Sequence, residues 1–184
     1  MSHSQDVIHL KQEAFHRKHI FFELTTLVHY YSEAKEFLGR GYYLDSLHRV
    51  HQSLHHMGRL TVLQAGEQPA TLLWRQVRSI DSSVYKLYEE LSTSEEPLDK
   101  RIELFLLALD FSILSKFEMA VEFLVEILKN RKEGWTIEEI LMELSVHEWS
   151  FEIISILDKM EKRSLIKVQF IERDGIKQKL YRCL

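Results

Sequence analysis

Apolar residues in this chain recur at steps of three and four over stretches too long for strands, and that period constrains its fold more than any other feature. From about Asp6 to Leu38 the repeat runs through Ile20, Leu24, Leu27, Tyr31 and Leu38. A second run, Tyr43, Leu47, Val50, Leu54, Met57 and Thr61, has the steps of a seam packed against a neighbouring helix. Residues that turn a chain are scarce. There are 6 Gly and 2 Pro in 184 residues, too few for a sandwich or barrel built from many tight turns. Those present stand between the runs: Gly39 and Gly41 close the first helix, and Gly66 and Pro69 mark the loop after the second.

Downstream, Trp74, Val77 and Ile80 predict a short helix. Asp81 reads as an N-cap, because its carboxylate can accept from the orphan amides of the next turn. Behind it Val84, Leu87, Tyr88 and Leu91 form one apolar stripe. Pro97 then sits where a first helical turn tolerates proline. Leu98 to Leu114 is apolar nearly all round, the mark of a buried central helix. A further helix from about Phe117 to Lys132 closes at Gly134.

After Gly134 the pattern changes. Thr136 with Glu139, and Ser145 with Glu148, each match a capping box. They predict a short helix from Ile137 to Leu144 and a longer one from about Glu148 to Arg163. Ile166, Val168 and Phe170 then alternate with Lys167 and Gln169, the period of a half-buried strand. Asp174-Gly175 is a hairpin turn signal, with Lys177 to Cys183 as the return strand. The expected fold is mainly α. Residues 1–116 form a helical bundle, and residues 117–184 form a small winged-helix-like unit with a C-terminal β-hairpin.

Composition narrows the setting. Hydrophobic residues make up 45% of the chain, enough for a packed core. Cys183 is the only cysteine, so an internal disulfide or a cysteine zinc site is impossible and a reducing, cytoplasmic setting is expected. The first residues lack the basic and apolar regions of a signal peptide. The most apolar stretch, Ile102 to Leu114, is too short for a bilayer, so no membrane partner is expected. The formal net charge of -4 supplies no global field for nucleic acid.

Three constellations invite chemistry. His48, His51 and His55 share one helical face and have spacing compatible with zinc, although three ligands from one helix rarely converge; a polar bundle face is the competing reading. Arg49 with His55 or His56 resembles the Arg-x4-6-His signature of HEPN ribonucleases, in which histidine is the base and arginine meets the phosphate charge. In that signature a polar residue commonly follows the arginine, whereas Val50 here belongs to the apolar seam. The winged-helix layout raises DNA binding. From Trp135 to Leu184, however, there are eight basic and nine acidic residues, and the groove-entering helix opens with Glu148, Trp149, Phe151 and Glu152. Basic residues concentrate on the hairpin, at Lys167, Arg173, Lys177, Lys179 and Arg182, so any nucleic-acid contact is expected to be weak and sequence-indifferent. No phosphate loop, nucleophile elbow or dinucleotide fingerprint is present, and no cofactor or metal is implied. A nucleotidyltransferase needs a Gly-Ser turn at a helix start and a pair of strand carboxylates for Mg(II), and neither occurs.

The text from Tyr43-Leu44-Asp45 to Glu90-Leu91 carries a family resemblance. His55-His56-Met57-Gly58-Arg59-Leu60, Trp74-Arg75-Gln76-Val77-Arg78-Ser79-Ile80-Asp81 and Val84-Tyr85-Lys86-Leu87-Tyr88-Glu89-Glu90-Leu91 resemble the nucleotidyltransferase-like proteins of Bacillus-type bacteria. Lys100-Arg101-Ile102-Glu103-Leu104 and Ser115-Lys116 continue the likeness. The resemblance implies an N-terminal nucleotidyltransferase domain, a helical bundle and a C-terminal helix-turn-helix part, and this chain is similar to the second and third. The catalytic carboxylates of the first have no counterpart here, so the resemblance implies association with that architecture and no nucleotidyl transfer by these residues alone. It implies a partner- or substrate-binding module, with a nucleotidyltransferase-fold domain in trans or a second copy as partner. By the same resemblance the bundle walls a substrate cleft that His55, His56 and Arg59 face. His55 and Arg59, one turn apart, would meet an anionic group. The alternative is a contact inside the bundle, with Arg59 paired to an acidic residue.

Overall fold

The two long helical runs fold as read. We describe the protein through a computed structural model, in residues 2–146, 150–173 and 176–184, with side chains from residue 12 onward except those of 173 and 176. The elements in order are α1 (Ser2–Gly39), α2 (Tyr43–Gln64), α3 (Leu73–Ile80), α4 (Ser82–Thr93), α5 (Leu98–Ala120), α6 (Glu122–Lys129), α7 (Ile137–Leu144), α8 (Ser150–Lys162), β1 (Ile166–Arg173) and β2 (Ile176–Cys183). The protein is mainly helical and ends in a two-stranded antiparallel hairpin. It divides into two compact units, residues 1–120 and 121–184. No helix of the described residues is long and apolar enough to cross a membrane.

In the first unit α1 and α2 pair along their length, and α5 packs on both. Phe21, Leu24 and Leu27 of α1, Leu54, Met57 and Leu60 of α2, and Ile102, Leu109 and Ile113 of α5 are fully buried. Each such side chain contributes roughly 1.5–3 kcal/mol through burial. Small residues let the first two helices approach. Ser46 Oγ donates to the Ala34 carbonyl at 2.7 Å and Ser53 Oγ to that of Leu27 at 2.9 Å, so neither buried hydroxyl is left unsatisfied.

Asp81 caps α4 as its sequence implies, accepting from the Ser83 and Val84 amides at 3.1 and 3.2 Å. Its other oxygen receives Lys116 Nζ of α5 at 3.3 Å, which ties the cap to the central helix. Asp81→Ala is expected to cost about 1 kcal/mol in chemical unfolding. Asp81→Asn keeps the cap and loses only the ion pair, so it should cost less. Equal losses would show that the cap contributes nothing.

Two expectations about the central helix are corrected. No helix begins at Phe117. Ser115-Lys116 is polar yet helix-compatible, so α5 runs on to Ala120 with Phe117 buried on the same face as Ile113, and the break falls at Val121. Nor is α5 buried all round, because α1, α2 and α4 cover only one side of it. Leu104, Leu107, Phe111 and Leu114 face outward at 59%, 57%, 68% and 46% exposure.

The second unit gathers α6, α7 and α8 with the hairpin. Thr136 and Glu139 form the expected capping box. Ser145 does not start a helix. At φ 58° and ψ 41° it is left-handed and closes α7 by donating its amide to the Leu141 and Met142 carbonyls. Its expected partner Glu148, together with Trp149 and the Asp174-Gly175 turn, lies outside the described residues. The strands pair Ile166 with Cys183, Val168 with Tyr181 and Phe170 with Lys179. Trp135 extends the sheet, exchanging hydrogen bonds with Tyr181 at 2.8 Å in both directions.

Candidate functional site

The helical period that builds the α1–α2 seam also fixes which polar groups meet along its edge. Arg49 and His56 are seven residues apart and share a face, whereas His55 lies about 120° round the helix from Arg49. On α1 the matching positions are Glu23, Tyr30 and Glu33. Glu23 binds both His56, Nδ1 to Oε2 at 2.7 Å, and Arg59, Nε to Oε1 at 2.7 Å. Tyr30 lies between His56, stacked at 5.6 Å, and Arg49, whose guanidinium sits 5.4 Å from the ring centroid. Arg49 in turn pairs with Glu33 Oε2 at 3.0 Å and donates to Gln52 Oε1 at 2.7 Å.

This polar edge is internally balanced. Burial pushes the Glu23 carboxyl up, but the hydrogen bonds and positive charge of His56 and Arg59 outweigh it and hold the group below its ordinary value. Arg59 thus makes the intrabundle contact that stood as the alternative to a ligand contact. His55 remains exposed, edge-on to His56 at 5.7 Å. Partial desolvation, then the neighbouring His56 and Arg59, hold its pKa below the ordinary histidine value. The ribonuclease reading needs a histidine free to take a proton and an arginine free to meet phosphate, yet His56 and Arg49 are each tied to an α1 carboxylate. His51 packs edge-on to Tyr88, itself stacked on Trp74 at 3.9 Å. Among the described residues no group of three His, Cys, Asp or Glu side chains is placed to hold a metal ion.

A different place is concave. A cavity of about 490 Å³ opens between the C-terminal part of α1, the start of α2 and the outer turns of α5. Tyr31, Lys35, Tyr43, Asp99, Glu103 and Asp110 supply its polar lining. Tyr31 is buried, and Lys35 Nζ donates to its hydroxyl at 3.2 Å. Burial raises the pKa of that phenol, and the hydrogen-bonded Asp110 carboxylate raises it further. The cavity therefore presents a neutral phenol, an ammonium and carboxylates around aliphatic walls. Sequence reasoning passed over this cluster. Its visible signals were Glu103 and Asp110, two charges set inside the apolar run of α5.

On the hairpin, strand alternation splits the basic residues. Lys167 and Arg182 are cross-strand partners on one face, while Lys177 and Lys179 lie on the other with Phe170. Lys177 sits 5.6 Å from the Phe170 ring centroid, and Lys179 approaches Asp158 of α8 at 3.6 Å. The side chain of Arg173 lies outside the described residues.

Residues 17–116 match the family described as the YgxA-like substrate binding domain. The YgxA protein of Bacillus subtilis (strain 168) is 38% identical over 156 residues, which make up 85% of this chain and 53% of that protein. A crystal structure of a nucleotidyltransferase-like protein from Exiguobacterium sibiricum 255-15 aligns with a TM-score of 0.82 at 30% identity, over 94% of this chain and 60% of the other. The chain thus spans about half the length of the curated relative it matches.

Proposed function

The chain belongs to the YgxA-like substrate-binding domain family, and from that membership we propose that it is the substrate-holding part of a nucleotidyltransferase-like protein. It presents a small acceptor to a nucleotidyltransferase-fold domain that lies outside these residues. The observation that carries the choice of site is the cavity of about 490 Å³ with Tyr31, Lys35 and Asp110 converging in its wall. That volume suits a small molecule, and a few polar groups in an aliphatic cleft, one with a displaced pKa, are the usual composition of a ligand site. The Lys35 ammonium donates and the Asp99 and Glu103 carboxylates accept, while the Tyr31 hydroxyl, whose own proton goes to Asp110, holds that carboxylate in place, so the ligand class is a hydroxyl- or amine-bearing acceptor. Glu23, His56 and Arg59 then act as a clamp between α1 and α2 that holds the helices framing the cavity.

The test is calorimetric titration of the full chain with a panel of amino alcohols, polyols and nucleotides. We expect a hydroxyl- or amine-bearing compound to bind. Tyr31→Phe and Asp110→Asn should each weaken it about tenfold, the loss of one hydrogen bond to a charged or buried group. Binding that survives both changes but disappears in His55→Ala or Arg59→Ala would move the site to the polar face of α2.

We read residues 121–184 as winged-helix-like, with the hairpin as the wing and a role in protein contact. The favouring observation is that Phe151 and Phe170 stand 82% and 64% exposed while the hairpin lysines divide between two faces. Nucleic-acid contact through Lys167, Lys177 and Lys179 would then be limited to a few phosphates and lost on moderate salt.

A further inference from the structure

The outward side of α5 carries a second message, independent of the cavity's occupant. Leu104, Leu107, Phe111 and Leu114 are spaced by three, four and three residues, the step pattern of a coiled-coil seam. All four are 46–68% exposed. Lys100 and Glu118, both exposed, continue the same line one turn beyond each end, because steps of four and three keep returning to one side of a helix. The stripe is therefore apolar in the middle, positive at its N-terminal end and negative at its C-terminal end.

We propose that this stripe is a self-association surface on which two copies pair their α5 helices antiparallel, about a two-fold axis level with Leu109. The residue spacing is self-complementary under that operation. Leu104 meets the partner's Leu114, Leu107 meets the partner's Phe111, and Lys100 meets the partner's Glu118, each twice. A parallel pairing would set Lys100 against Lys100 and Glu118 against Glu118, so the end charges select the antiparallel arrangement. An isologous contact of this kind closes on itself and stops at two copies.

Shape agrees with charge. The stripe stands as a ridge with a hollow on either side. One is the cavity already described, which Leu107 helps to line. The other, of about 470 Å³, is formed with α4 by Leu87, Glu90, Arg101, Leu104, Phe105 and Ala108. A ridge flanked by grooves is what an identical helix surface can interlock with. In the single copy both end charges already have an interaction within the chain, Lys100 Nζ lying 2.9 Å from Glu103, and exposed charges of this kind exchange partners at little cost.

The experiment is sedimentation equilibrium of the full chain from about 1 to 100 µM, a range that brackets micromolar association. A dimer is expected. Phe111→Glu, at a position outside the cavity wall, should raise the dissociation constant about 100-fold, with Leu104→Gln as a second reporter should the first variant fold poorly. Lys100→Glu and Glu118→Lys should each weaken the dimer about tenfold, and the double variant K100E/E118K should regain wild-type affinity. Regain in the double variant is specific to the antiparallel register, since a parallel pair would remain repulsive. A wild-type monomer throughout the range, a dimer indifferent to Phe111→Glu, or a double variant no tighter than the singles would each overturn the proposal.

Discussion

Gly134→Ala is expected to lower the stability of residues 121–184 by about 3 kcal/mol. Gly134 sits at φ +93°, outside the backbone regions that an L side chain adopts without strain. An added Cβ would also lie 2.9 Å from Leu180 Cγ and 3.0 Å from the Tyr181 carbonyl oxygen. The second contact is the harder one to relieve. Tyr181 is tied to Trp135, the next residue, by two backbone hydrogen bonds of 2.8 Å, and both aromatic side chains are buried. Backing the strand away from the new methyl breaks that bridge and opens the core under the hairpin. Urea unfolding followed by far-ultraviolet circular dichroism measures the loss. Gly39→Ala is the control, because nothing lies within 4 Å of its Cβ and its backbone is unstrained. A Gly134→Ala protein within about 1 kcal/mol of wild type would show that the 134–135 segment yields more readily than its hydrogen bonds imply.

What could be read in the sequence was local. The steps of three and four in α1 and α2, the Asp81 cap and the Thr136–Glu139 box depend on residues within one or two turns of each other, and each is present. The Ser145–Glu148 pattern is just as local and misled, because a Ser-x-x-Glu string does not say whether the serine opens a helix or closes the one before it. Burial was harder to read. An apolar run shows that a helix has hydrophobic sides without showing how many of them have neighbours. The α5 stripe was accordingly read as core when it faces outward. Ion pairing was the least legible. Nothing near Arg59 in the sequence points to Glu23, 36 positions away, and only the α1–α2 register brings them to 2.7 Å. The cavity fails for the same reason, since Tyr31 and Asp110 belong to helices that meet only in the folded bundle.

That long-range pair leads to the second large effect. Glu23→Gln is expected to destabilise the bundle by about 2 kcal/mol at pH 7. The carboxylate is mostly buried, with 13% of its side chain exposed, and it satisfies two donors at once. An amide of the same size offers one acceptor oxygen and carries no charge, so His56 or Arg59 loses its partner at the helix interface. Arg59 is 37% exposed and can turn to water, which keeps the loss below that of a wholly buried pair. The pH dependence follows from the direction of the shift. Glu23 binds its proton less readily folded than unfolded, so the contribution is complete above the unfolded value near 4.5 and disappears as pH falls through the lower folded value. Wild type should therefore lose stability between about pH 5 and pH 3, and Glu23→Gln should show a shallower acid limb while starting lower. Urea unfolding at half-unit steps across that range checks both statements. Curves of equal steepness, offset by a constant amount, would mean that the variant loses packing and that the Glu23 charge does not hold the two helices together.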